Sequence, residues 1–329
     1  MQLRGQRVEP ATWADVEAAY ARISQRFGPS PLFTNEFLRS RLGDRILLKA
    51  ESLLPTGAFK LRGAYNKISC LKEAGGVEAV VTASSGNHAL GVSLASRWLG
   101  VTATVCVPRT TPEVKKKNCK DLGAEVVEVG EIYDDAYERA IELCEQQGMH
   151  YVHPVADTDV VAGQGTIAVE IFRTKDDTEQ IVVPLGGGGL VSGIAFAAKQ
   201  LKPSVRVVAV QAAGSPLFHR SLQEGKPIEL ETVNTIADGM ASKRVEPYLW
   251  EMVRRYVDEV VVVSESSIAE AVRVALLQGK LLLEGAGAAA TAAVLQGHVS
   301  RDLNTVVLAS GANMDGALLT RILNGDFQE

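Results

Sequence analysis

The sequence predicts an α/β protein of two lobes, each built on a mostly parallel sheet covered by helices. Three observations carry that prediction. Short runs of Val, Ile and Leu recur without polar alternation, as at 79–83 (AVVTA), 102–108 (TATVCVP) and 304–310 (NTVVLAS), and strands buried on both faces read this way. Helical patterns separate these runs, so each passage between strands is a crossover, which pairs strands in parallel. The chain, at 329 residues, is also long enough for two lobes with separate cores.

Residues 12–27 (TWADVEAAYARISQRF) read as an amphipathic helix, with Thr12 as N-cap, Asp15 completing the cap, and Gly28-Pro29 as the stop. Pro31-Leu32 leads through a second helix to a strand at 45–51 (RILLKAE), and a helix is expected from Lys60 to Ala74. After strand 79–83 come a helix over 87–100, strand 102–108, a helix from Pro112 to Leu122 and strand 124–130. Tyr133 to Gln147 is a helix that Gly148 stops, and 149–154 (MHYVHP) begins the return. Later strands are expected at 180–186, 205–211, 257–264 and 304–310, with helices through Lys199, from Ser267, over Ala288 to Ala293, and over 316–323. No repeat, low-complexity tract or linker interrupts this order. The lobes are therefore expected to be interleaved, a small domain at 79–154 inserted into a large one made of 1–78 and 155–329.

Composition narrows the function. Hydrophobic residues make up 46% and charged residues 22%, as in an ordinary soluble protein. A net charge of −5 argues against a nucleic-acid surface, which needs a basic face. The compact basic run, Lys115 to Lys117 with Lys120, is offset by Asp121, Glu125 and Glu128 and reads as a solvated helix face. No apolar run approaches the ~20 residues of a membrane span. The N-terminus MQLRGQRVEP lacks the apolar core of a leader, so a cytoplasmic location is expected. Cys70, Cys106, Cys119 and Cys144 have no metal-ligand spacing and read as free thiols in a reducing compartment.

The chemistry centres on 51–66 (ESLLPTGAFKLRGAYN). Lys60 lies between Phe59 and Leu61, and a lysine among apolar residues loses hydration, which disfavours its charged form. Such an amine can form a Schiff base with a carbonyl. Taken alone, Lys60 reads better as a helix-surface lysine whose apolar neighbours face the core. Four Gly/Ser-rich turns after apolar strands change the balance, because open α/β sheets place their ligands there. Ser84-Ser85-Gly86-Asn87-His88 offers hydroxyls and N–H groups to an anion, or merely caps a helix. Gly186-Gly187-Gly188-Gly189-Leu190 can curl so that consecutive N–H groups converge on a phosphate. It is not a dinucleotide fingerprint, since Ser192 occupies the third glycine's place, and no Lys-Ser/Thr pair follows as in a P-loop. Ser310-Gly311-Ala312-Asn313 presents a neutral hydroxyl, and Glu284-Gly285-Ala286-Gly287 suits tight helix packing equally well.

Seven segments together, TGAFKLRGAYN (56–66), SSGNHALGV (84–92), AGQGTIAVEI (162–171), PLGGGGLVSG (184–193), ADGMA (237–241), EGAGA (284–288) and SGANMD (310–315), resemble the threonine dehydratase and serine racemase group of fold-type II pyridoxal-phosphate enzymes. The match runs in order over nearly the whole chain. The resemblance implies a tryptophan synthase β-like fold whose larger domain binds pyridoxal 5'-phosphate. It implies that Lys60 carries the cofactor as a Schiff base, with Phe59 beside the ring, Asn87 on the ring hydroxyl and Ser310 facing the ring nitrogen. Gly186, Gly187, Gly188, Gly189 and Leu190 would hold the phosphate. Ser84, Ser85 and the N–H groups of Gly86, Asn87 and His88 would take the substrate carboxylate, with Lys60 and Ser85 as catalytic candidates. The His88 ring alone reads as a structural histidine. The implied reaction is loss of water and ammonia from a β-hydroxy-α-amino acid such as threonine or serine, giving a 2-keto acid.

Departures from the group's pattern refine the expectation. Its metal-stimulated members resemble one another in an acidic residue after the strand equivalent to 205–210, whereas here Gln211 to Leu217 hold no carboxylate; no divalent cation is expected. His153-Pro154-Val155-Ala156-Asp157 stands where dehydratases resemble HPFDD, and Leu90 where glutamine is frequent. If Val155, Ala156 and Leu90 line the substrate pocket, a bulkier 3-hydroxy amino acid such as phenylserine, or a hydroxylated compatible solute in catabolism, becomes an alternative. A serine racemase is a further alternative, and a phosphate-ligand binding protein without catalysis is the reading from another class. No regulatory domain follows the SGANMD turn, so feedback control is not expected, and a homodimer or homotetramer is.

Overall fold

The computed structural model describes residues 6–327, so the part of the leader expectation that rests on residues 1–5 lies outside the described residues. In chain order the elements begin with α1 (Trp13–Arg26), β1 (Leu32–Phe33), α2 (Glu36–Leu42), β2 (Ile46–Ala50), α3 (Lys60–Glu73) and β3 (Ala79–Ala83). Next are α4 (Asn87–Leu99), β4 (Thr102–Val107), α5 (Glu113–Asp121), β5 (Glu125–Glu128), α6 (Tyr133–Gln147), β6 (His150–Tyr151) and α7 (Thr158–Thr174). The remainder is β7 (Gln180–Pro184), α8 (Gly189–Leu201), β8 (Arg206–Ala212), α9 (Leu217–Glu224), α10 (Pro247–Tyr256), β9 (Glu259–Val263), α11 (Glu265–Leu277), α12 (Gly285–Leu295), β10 (Thr305–Ala309) and α13 (Gly316–Asn324).

Contacts group the chain into two compact units, one of residues 6–28 with Phe59–Thr166 and the other of Pro29–Ala58 with 167–327. In the first, four parallel strands run in the order β5-β4-β3-β6. Successive residues of β3 point to opposite faces, as the pleat requires. Val80 joins a core with Leu61 and Ile68 of α3 and Val92 of α4, while Val81 joins another with Ala140 and Leu143 of α6. Each fully buried valine contributes about 1.5–3 kcal/mol. The sheet itself is drawn from within 79–154. The wider grouping arises because α3 packs on α4 and α1 packs on α3.

The second unit carries a six-stranded sheet in the order β1-β2-β10-β7-β8-β9, parallel apart from the edge strand β1. Its strands β7 and β10 are buried throughout, matching their continuous apolar sequence. Among the described residues no helix is long and apolar enough to cross a membrane.

Two local expectations need correction. The basic run is not uniformly solvated: Lys116 is only 3% exposed and pairs with Glu113 and with Glu128, the latter at 2.8 Å. No helix was assigned over 158–174 from the sequence, where AGQG stands only as part of a motif. Its Gly163 is a packing residue. A Cβ on Gly163 would lie 2.7 Å from the Cα of Gly63, so α3 and α7 meet backbone to backbone. Gly163→Ala is therefore expected to lower stability by about 1–3 kcal/mol through overpacking. Gly28→Ala, where nothing lies within 4 Å of the new Cβ, should stay within about 0.5 kcal/mol, and urea unfolding of both variants checks the contrast.

Candidate active site

In the first unit the chain leaves β3, adds β4 and β5 on one side, and returns to place β6 on the other. That reversal opens a crevice at the C-terminal end of β3, where parallel sheets bind ligands. The Ser84–His88 turn occupies it. The cap of α4 is Gly86, with no side-chain cap bond, so the two serine hydroxyls are not spent as helix caps. The Ser84 hydroxyl instead accepts the Gly86 N–H at 3.3 Å. His88 is buried, and its Nε2–H donates to the carbonyl of Val152 at 2.9 Å. Burial, reinforced by the charge of Lys60, pushes this imidazole down to about 3.

Lys60 is the first residue of α3, and its amine donates to the carbonyl of Pro154 at 2.6 Å. It lies 5.2 Å from the centre of the Phe59 ring. Helix α4 comes close at this point, since a Cβ on Gly91 would stand 3.2 Å from the Lys60 carbonyl. Next to Pro154, the Nδ1 of His153 accepts the N–H groups of Val155 (3.0 Å) and Ala156 (2.6 Å), which leaves its proton on Nε2. Burial and then Lys60 push His153 down to about 4. The structure thus gathers Lys60, Phe59, the Ser84–His88 turn and Val155. Ala156 is 1% exposed, and Leu90 packs against the core around β3 rather than standing free.

The second unit has its own reversal. The chain runs from β7 outward to β8 and β9, then returns to place β10 on the other side of β7. Gly186 to Gly189 follow β7 and Ser310 follows β10, so both lie at the C-terminal ends of neighbouring parallel strands. The bend needs glycine: Gly188 has φ +97°, and a Cβ on Gly186 would lie 2.9 Å from the Cα of Met240. Among the described residues the N–H groups of Gly186 to Leu190 find no protein acceptor, and they stand at the start of α8. A set of unclaimed N–H groups at a helix N-terminus is an anion site. Ser310 is 3% exposed, and its hydroxyl donates to the carbonyl of Ala286 at 3.4 Å.

Three functional neighbours escaped the sequence reading. His153 and the Pro154 carbonyl were visible only as part of a motif, because the hydrogen bond from Lys60 to the Pro154 carbonyl spans 94 positions. Gln211 was noted for the charge it lacks; in the fold it is a brace, donating to the Leu185 carbonyl at 3.3 Å and accepting the His219 N–H at 2.7 Å. Among the described residues no group of three or more His, Cys, Asp or Glu could hold a metal ion.

Residues 23–311 match the family described as pyridoxal-phosphate dependent enzyme. The chain belongs to that family. It is 42% identical over 313 residues to an L-threonine ammonia-lyase of Thermotoga maritima, covering 95% of this chain and 78% of that protein. It is 36% identical over 316 residues to the catabolic L-threonine dehydratase TdcB of Escherichia coli K12, covering 95% of this chain and 96% of the other. Among solved structures it is similar to maize serine racemase, with TM-score 0.89, 31% identity, and 96% and 98% of the two chains covered. The cofactor is pyridoxal phosphate. The residues fit that group: the glycine turn offers N–H donors to a phosphate, and Lys60 offers the primary amine that an aldehyde needs.

Both histidines have folded-state pKa values below the unfolded value of 6.5, reaching about 3 and about 4. Between about pH 6.5 and 4 the unfolded chain binds protons that the folded protein refuses, so stability falls as pH drops through this window. Each histidine adds up to about 1.4 kcal/mol per pH unit. Urea unfolding from pH 7 to 4.5 should show this loss, with a visibly shallower slope in His88→Gln.

Proposed function

We propose that the protein is a cytoplasmic dehydratase that converts β-hydroxy-α-amino acids, threonine and serine first, to a 2-keto acid and ammonia, acting as a homodimer or homotetramer. The observation that carries the reading is the amine of Lys60 gathered with the Ser84–His88 turn and the 153–155 turn. One group can move a proton at Cα, another can hold a carboxylate, and a third can face the side chain. The names of the relatives, an L-threonine ammonia-lyase and an L-threonine dehydratase, support threonine as the substrate.

Pyridoxal phosphate, when bound, supplies an aldehyde for the substrate amine and draws electrons away from Cα. Lys60 would hold it between turnovers, and its free amine would take the Cα proton of a bound substrate. The hydroxyls of Ser84 and Ser85 and the N–H groups of Gly86, Asn87 and His88 hold the carboxylate, which fixes the Cα–H bond toward Lys60. Gly186 to Gly189 and Leu190 would hold the phosphate through their N–H groups, and Asn87 and Phe59 would orient the ring. Ser310 would offer the ring nitrogen a hydroxyl, which cannot balance a positive charge as a carboxylate does. Charge at Cα would then be held weakly, which favours departure of the β-hydroxyl, the proton removed at Cα balancing it as it leaves as water, over return of that proton to Cα. The released enamine rearranges and takes up water to give the keto acid and ammonia.

The half-buried Val155 beside Pro154 supports a second reading, in which the wall at Cβ accepts a substituent larger than methyl. Keto-acid release measured across the stereoisomers of serine, threonine and phenylserine separates the two. Threonine or serine should lead, and a clear preference for phenylserine would assign the larger substrate. Lys60→Ala should lose about 10³-fold or more in kcat together with the yellow colour. A colourless wild-type protein that still binds phosphate esters would replace the enzyme reading with a binding protein.

A further inference from the structure

The chain segment 6–9 is fastened to the wall of the candidate site by hydrogen bonds running in both directions. The Gln6 amide donates to the carbonyl of Ala156 at 2.8 Å, and the Arg7 N–H donates to Oδ2 of Asp157 at 3.2 Å. In return, the Thr158 N–H donates to the Arg7 carbonyl at 2.9 Å. The Glu9 N–H donates to Oγ1 of Thr158 at 3.2 Å, and that hydroxyl donates to the Glu9 carbonyl at 2.6 Å. The Arg7 guanidinium reaches Oδ1 of Asp159 at 2.8 Å and Oδ1 of Asp15 at 3.1 Å.

The carboxylates under this strap are buried. Asp157 is 0% and Asp159 5% exposed. Lys67 of α3 lies 2.8 Å from Asp157 and 2.9 Å from Asp159, so one buried ammonium faces two buried carboxylates. Buried charge without compensation is costly, and Arg7 supplies the second cation. Asp157 also caps α7, its Oδ1 accepting the N–H groups of Asp159 (2.9 Å) and Val160 (3.3 Å). Polar bonds therefore fix the start of α7 and the turn just before it, the turn whose Pro154 carbonyl receives the Lys60 amine.

We propose that Arg7 is a positioning residue for the reaction: the 6–9 strap, through Asp157 and Asp159, sets where the 153–157 turn stands against Lys60. The inference rests on the dehydratase reading for its kinetic arm only. The strap moves no proton and touches no substrate. It holds the Pro154 carbonyl and Val155 in place, so its loss affects the chemical step more than binding of the carboxylate, which belongs to the Ser84–His88 turn.

The test uses the full chain with bound cofactor and compares wild type, Arg7→Ala, Arg7→Lys and the control Arg244→Ala, whose exposed pair with Glu229 is remote from Lys60 in sequence and lies in the second unit. Hydrogen exchange of the amides of Asp159 and Val160 should quicken by about 10-fold or more in Arg7→Ala and stay unchanged in the control. In the same variant kcat for threonine or serine should fall about 10-fold with KM within about 2-fold, and Arg7→Lys should restore part of it. Unchanged exchange at these amides overturns the proposal, as does faster exchange with kcat intact. A fall in melting temperature with kcat and exchange at 159–160 preserved assigns Arg7 a purely structural role and also overturns it. Failure of wild type to release keto acid from any β-hydroxy amino acid sinks the dehydratase reading instead, and the exchange arm still decides whether the strap fixes the turn.

Discussion

The contact on which the first unit's chemistry depends is a hydrogen bond from one lysine amine to one backbone carbonyl, Lys60 to Pro154. A charged donor on a partly buried carbonyl contributes about 1.5–3 kcal/mol, enough to hold a long side chain in one direction against its own rotamer freedom. The contact needs α3 to begin at residue 60 and the chain to return past β6 with its next turn at the same place. Each condition is met by ordinary packing. Helix α4 approaches the start of α3 closely enough that a Cβ at 91 would stand 3.2 Å from the Lys60 carbonyl, and the His88 ring ties α4 to Val152 just before the turn.

Electrostatics around that amine follow from burial rather than from pairing. His88 and His153 lie close enough to feel the Lys60 charge, and both are neutral because a buried imidazolium would lose hydration beside a cation. Their neutrality fixes tautomers as well. Nδ1 of His153 is an acceptor for two backbone N–H groups, so the ring cannot flip without giving up both. An immobile ring holding the N–H groups of Val155 and Ala156 makes the 153–156 turn stiff.

Much of this was legible in the sequence because the informative features are local. A run of glycines after an apolar strand, a serine turn before a helix, and a lysine between apolar neighbours state their chemistry within a few residues. The strands of the two sheets, apart from the two-residue edge strand β1, were found for the same reason, since continuous Val and Ile runs need no partner to be recognised. What stayed hidden depends on pairs far apart in the chain. The role of Gly163 in helix α7 shows only when Gly63 is seen touching it. Lys116 looked solvated until Glu128 was seen across from it. The ends of β7 and β10 were each readable, but that they are neighbours at a reversal of strand order is a property of topology alone.

Gln211 shows how a single brace can limit what a protein can become. Its amide does two opposite jobs at once, giving a proton to the Leu185 carbonyl and taking one from the His219 backbone. A carboxylate in its place could only accept, and would set an anion against a buried carbonyl oxygen at the edge of the glycine turn. Acquiring a cation here by mutation is thus an uphill path with no stable halfway station, since the acid must arrive together with the ion that tolerates it. A descendant could cross that gap only by first rebuilding the support around residue 211.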